Sequence, residues 1–137
     1  MDSSIPLCDT NIISELARPA SDPGVLAWAA TVSTIALSVV SVEEIRFGLA
    51  WRTNPRISSW FDRFLDACAI LAVSTEVANA SGLMRGHLMS QGQTRAQADM
   101  LIAATARVHG LTLVTRNTRD FEQCMIPLLN PFRQPGR

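Results

Sequence analysis

The chain has 137 residues, enough for one domain with a real core. Hydrophobic residues at 47% and charged residues at 18% exclude a disordered chain. Twelve Arg balance twelve Asp plus Glu, so the zero net charge excludes a protein that grips nucleic acid by bulk charge alone.

Every basic residue is Arg. Without Lys there is no Walker-type phosphate lysine and no Schiff-base lysine. Cys8, Cys68 and Cys124 are widely spaced, form no CxxC pair and have no zinc-like spacing to His87 or His109. A reduced, cytoplasmic setting is the simplest expectation. The start lacks the basic region and apolar run of a secretory signal. The longest apolar stretch, residues 35–42, is too short to span a bilayer, so no membrane partner is expected.

In chain order, residues 5–8 are a short apolar run ending at Asp9 and read as a first strand. Pro6 cannot donate to a ladder and fits only the strand's first residue. Residues 11–17 read as a helix ended by Arg18-Pro19. Ser21-Asp22-Pro23 opens a second helix with apolar face Val25, Leu26, Trp28, Ala29 and Val32. Residues 35–40 read as a buried strand. Residues 41–44 match a capping box, and the helix they open carries Val42, Ile45, Phe47 and Leu49 inward until Asn54-Pro55. Ile57, Trp60, Phe61, Phe64, Leu65 and Cys68 repeat at three- and four-residue steps. Residues 70–73 read as a strand and 75–90 as a helix closed by Gly92. Residues 94–97 match a second capping box, opening an Ala-rich helix to His109 with Gly110 as C-cap. Residues 111–115 read as a strand, Asn117 begins a helical turn, and residues 126–129 form a last strand. Helices and short apolar strands alternate throughout, without linker or repeat. They predict a single domain over residues 1–137: a three-layer α/β/α sandwich with a mainly parallel central sheet.

Four acids carry the functional argument. Asp9, Glu44 and Asp120 each follow a strand, and in a parallel sheet those connections gather on one rim. Each also reads as a helix cap or cap partner. Asp99 shares a helix face with Ile102, Ala103 and Ala106, where a carboxylate is costly unless it is paired or ligates a metal. Its alternative is an ion pair with Arg116. A cluster of oxygen ligands calls for Mg²⁺ or Mn²⁺ rather than Zn²⁺. Such an ion suits phosphodiester hydrolysis, because it activates water, orients the phosphate and stabilises the oxyanions. Thr115, Arg116 and Asn117 stand beside Asp120. Thr115 or Asn117 would hold a water or phosphate oxygen, and Arg116 either contacts the substrate backbone or pairs with a site carboxylate. The rival reading is a non-catalytic RNA- or protein-binding module of the same fold. A receiver domain or a haloacid-dehalogenase-like phosphatase lacks its lysine in this chain, and the phosphatase also lacks an acid at Asn11.

The segments CDTNIISEL, SVEEIRFG, ADMLIAATA and GLTLVTRNTRDF resemble, in order, the motifs of the PIN-domain ribonucleases, among them the VapC and FitB toxins. The resemblance runs over residues 5–132, with Pro6 as its main departure. It implies Asp9 as the first metal-site acid with Asn11 in support, Glu44 rather than Glu43 as the second, and Asp99 as the third. It places Thr115, Asn117 and Asp120 at the site and likens Asn130-Pro131-Phe132 to the family's closing tail. It further implies a Mg²⁺- or Mn²⁺-dependent endoribonuclease acting as a toxin, and a homodimer. It also implies a small DNA-binding antitoxin whose C-terminal segment covers the site, so that promoter DNA is met only through the complex. Trp60, Phe61 and Phe64 are then core or a groove for a partner helix. Arg85, Arg95, Arg133 and Arg137 are an RNA-facing rim or ordinary solvated surface.

Overall fold

Runs of two or three residues, all apolar but Ser38, become strands because the sheet lies between two layers of helices. A computed structural model, which describes residues 5–133, gives the order β1 (Leu7–Cys8), α1 (Thr10–Leu16), α2 (Pro23–Ala29), β2 (Ala36–Ser38), α3 (Val39–Trp51), α4 (Pro55–Asp66), β3 (Ala69–Leu71), α5 (Thr75–Ser90), α6 (Gln97–His109), β4 (Leu113–Val114), a 3₁₀ helix (Thr118–Cys124) and β5 (Leu128–Leu129). Every strand pairing is parallel, in the order β3-β2-β1-β4-β5. Consecutive strand residues enter opposite cores, as the period of two requires. Leu7, Ala36 and Leu113 join α5 and α6, while Cys8, Leu37 and Val114 join α1, α2 and α4. The expected α/β/α sandwich is the observed one.

The topology places a switch point at β1. The chain winds from β1 to β2 and β3 on one side, then crosses to β4 and β5 on the other. In open α/β sheets the crevice at such a point receives ligands. Pro6 lies just before β1, and its carbonyl accepts the Ala36 N–H at 2.8 Å. The strand loses one donor there, but the Asp9 N–H still reaches the Val114 carbonyl at 2.9 Å.

Several local expectations are corrected. Ser38, not Ser41, caps α3, accepting the Val40 N–H at 3.0 Å, and Ser41 is buried inside the helix. The β-branched Val39-Val40 pair reads as strand, but packing makes it the first helical turn. Glu44 is therefore not the last member of a capping box. The second capping box also fails. Ala96 is the N-cap of α6 with no side-chain hydrogen bond, and the Thr94 hydroxyl turns to the Met89 sulfur. Asp99 thus stands in the first turn of α6 rather than one turn inside. Phe47 is 66% exposed. It lies two residues from Ile45, about 200° around the helix and so on the opposite side. Leu26 is likewise exposed, and Val32 lies beyond α2. Gly110 does close α6 in the left-handed region, at φ 65°. The cysteines are free, and Cys8 is fully buried. Burial pushes its thiol up and so disfavours the thiolate.

Candidate active site

Asp9 leaves β1 directly into the cap of α1, so its carboxylate is fixed by the strand on one side and the helix on the other. Oδ1 accepts the Thr10 N–H at 2.8 Å. Oδ2 accepts the Thr115 hydroxyl at 2.8 Å and the Asn11 amide at 3.3 Å. The cap reading and the site reading of Asp9 hold together, one on each oxygen. Burial pushes the Asp9 pKa up and Glu44 adds to it, while the Thr115 and Thr10 hydrogen bonds pull it down; the net shift is upward.

Asn11 and Thr115 bind each end of this arrangement. Asn11 Oδ1 accepts the Arg116 N–H at 3.2 Å, and the Thr115 hydroxyl oxygen accepts the Asn117 N–H at 3.0 Å. The segment after β4 is thereby laced to the segment after β1. Asn117 in turn starts the 3₁₀ helix, its carbonyl accepting the Asp120 N–H at 3.0 Å.

Glu44 is held by a residue that the sequence reading missed. The Thr10 hydroxyl donates to Glu44 Oε1 at 2.6 Å and stands 3.0 Å from the Ser41 hydroxyl. Thr10 has one hydroxyl proton, so Ser41 donates to Thr10 while Thr10 donates to the carboxylate. No local pattern could have revealed this pairing, because the partners lie 34 residues apart.

Asp99 is half-buried and makes no hydrogen bond or ion pair with another described residue. The Arg116 partner offered as its alternative is not realised. Burial first, and then the charges of Asp9, Glu44 and Asp120, push its pKa up to about 6. Asp99 therefore feels the other three acids. The four are not equivalent. Asp9, Glu44 and Asp99 line one open cavity of about 510 Å³, together with Thr10, Asn11, Arg116 and Asn117. Asp120 is exposed and outside that lining, and its carbonyl accepts the Arg95 guanidinium at 3.1 Å. Glu15, a buried acid that the sequence reading passed over, also lines the cavity but accepts the Asp22 N–H at 2.7 Å and so ties α1 to α2.

Among the described residues, no three acidic, histidine or cysteine side chains are drawn into a finished ion cage. The carboxylates share a cavity rather than a coordination shell. Their chemistry nonetheless fits a hard divalent cation: all the acidic donors are oxygen, one carboxylate is held on both oxygens, and another has no partner in a repulsive field.

The PIN-domain family model matches residues 7–124, a span that includes all four acids, and the chain belongs to that family. Its relatives lie among toxin–antitoxin ribonucleases. The VapC ribonuclease Y4jK of Sinorhizobium fredii is 33% identical, over 90% of this chain and 95% of its own length. Toxin FitB of Neisseria gonorrhoeae is 33% identical, over 92% and 97%. In the crystal structure of FitAcB from Neisseria gonorrhoeae, a chain 33% identical superposes with a TM-score of 0.83, covering 93% of this chain and 98% of that one. VapBC2 from Rickettsia felis, bound to a DNA fragment from their promoter, contains a chain 25% identical with a TM-score of 0.83, covering 92% and 98%.

Proposed function

We propose that this chain is a Mg²⁺- or Mn²⁺-dependent endoribonuclease, the toxin of a toxin–antitoxin pair, acting in the cytoplasm on single-stranded or loop regions of RNA. One observation carries the reading: Asp9, Glu44 and Asp99, remote in sequence, line one cavity at the switch point of the sheet. Asp9, Glu44 and Asp99 would hold the ion, with Asp120 completing the charge from the rim. Bound there, such an ion supplies an activated water and neutralises the phosphate.

The protein's own groups orient and hold. Thr115 and Asn11 fix the Asp9 carboxylate, and Thr10 fixes Glu44. Arg116 and Asn117 on the cavity wall face the phosphate backbone. The relatives named VapC ribonuclease and, in Shigella flexneri, tRNA(fMet)-specific endonuclease VapC support the reaction class.

A small antitoxin is the proposed partner, since FitAB and VapBC2 were solved as complexes bound to DNA. An apolar groove of about 240 Å³ between α1, α3 and α4, walled by Ile13, Leu49 and Trp60, shares Thr10 and Glu44 with the acidic cavity. An antitoxin segment seated there would be delivered to the carboxylates. Phe61 beneath it is core, while the stacked Trp60 and Phe64 are half-buried. A homodimer is part of the same proposal.

The deciding experiment incubates the purified protein with RNA and Mg²⁺ beside Asp9→Asn and Asp99→Asn. Each variant is expected to lose at least about a hundredfold in cleavage rate. Equal cleavage by all three proteins removes the assignment.

A further inference from the structure

The acidic cavity continues past its carboxylates. Its far wall contains Glu15, Arg18, Arg116 and Phe132, and these four also line an adjoining cavity of about 260 Å³ that runs on to Asp22. The two spaces form one path, with the carboxylates of the proposed metal site at one end and Arg18 and Arg116 over the buried Phe132, beside Glu15 and Asp22, at the other.

The arginine-bearing end is built rather than incidental. The Arg116 guanidinium lies over the Phe132 ring, 4.5 Å from its centroid. Phe132 is itself clamped: its N–H donates to Asn130 Oδ1 at 3.0 Å, and the next N–H, of Arg133, donates to Asp22 Oδ1 at 2.9 Å. Gly24 permits this close seating, because a Cβ there would collide with the Pro131 carbonyl and the Arg133 nitrogen. The guanidinium is thus held at the wall before any substrate arrives.

The carboxylates of this end are engaged inward. Glu15 accepts the Asp22 N–H at 2.7 Å, and Asp22 Oδ1 accepts N–H groups of Gly24, Val25 and Arg133. Arg18 has a long contact to Glu15 at 3.4 Å, and its side chain is 65% exposed. An RNA strand laid along this path would run from the acidic cluster past the exposed Arg18 side chain.

We propose that the space between Arg18, Arg116 and Phe132 is a nucleotide subsite, holding the nucleotide next to the scissile bond of a single RNA strand. This rests on the ribonuclease reading above and adds the path along which the strand lies.

The test measures kcat and KM for the wild type, Arg18→Ala and Arg18→Lys at several salt concentrations. The substrates are a fluorescent single-stranded RNA and two versions truncated on either side of the cut. Arg18→Ala is expected to raise KM about five- to twentyfold with little change in kcat, and Arg18→Lys to restore most of the loss. The slope of log affinity against log salt should fall by about 0.7, one phosphate contact on a single strand. The KM penalty should vanish on one truncated RNA and persist on the other. An unchanged KM and salt slope, an equal penalty on both truncated RNAs, or an effect confined to antitoxin binding overturns the subsite. A wild type that cleaves nothing overturns the ribonuclease reading itself, whereas an active wild type matched by Arg18→Ala overturns the subsite alone. Thermal melts of both variants verify folding, since Arg18 supports only the exposed end of one ion pair.

Discussion

Asp99 is the acid whose state depends most on its surroundings. Burial and three neighbouring carboxylates lift its pKa from 3.8 to about 6. Between those values the native state keeps a proton that the unfolded chain has released, so stability falls as pH rises through the window. The penalty is fully present above about pH 6 and absent below about pH 4. Asp99→Asn removes the ionised form, so it should raise Tm at pH 7.5 and leave it nearly unchanged at pH 4. Thermal melts of both proteins across that range check this; a variant that melts lower at pH 7.5 would contradict the repulsive field. A stabilised protein that no longer cleaves RNA is the pattern expected of a strained functional residue.

At the scale of elements, the site depends on α1 being pinned to α3. Thr10 makes that tie through its hydroxyl, which meets Glu44 and Ser41 of α3. Thr10→Val keeps the shape of the side chain and removes the hydroxyl. Partners of this kind typically change metal affinity by about ten- to a hundredfold. The expected result is a Mn²⁺ affinity lowered within that range, with rescue by Thr10→Ser, read by calorimetric titration. Equal affinities in all three proteins would mean that the hydroxyl contact does not shape the site. The element boundaries explain why Thr10 escaped notice. With residues 41–44 read as a capping box, Ser41 and Glu44 appeared to satisfy each other, whereas Ser38 does the capping and both turn toward α1.

The whole molecule stores repulsion at the C-terminal edge of its sheet, and a divalent ion is the natural relief. Binding to the folded state alone stabilises it by mass action, by about 2.7 kcal/mol at a hundred times Kd. Mg²⁺ or Mn²⁺ is therefore expected to raise Tm in a concentration-dependent way, and Asp9→Asn with Asp99→Asn should abolish the rise. A flat Tm in the wild type would favour the non-catalytic binding module of the same fold. No helix among the described residues is long and apolar enough to cross a membrane.

Alternation of short apolar strands with helices, the acids at strand ends and the four PIN-like segments were legible in the chain itself, because periodicity and turn chemistry are written into neighbouring residues. They were enough for the parallel sandwich, the family and the shared lining by Asp9, Glu44 and Asp99 of one cavity. Tertiary structure alone decided that Asp120 lies outside that lining, that Thr10 bonds Glu44, and that Arg18 and Phe132 line both this cavity and the one adjoining it. Those facts are distances between residues remote in sequence, and only the packing of α1, α3 and the C-terminal tail around the sheet sets them.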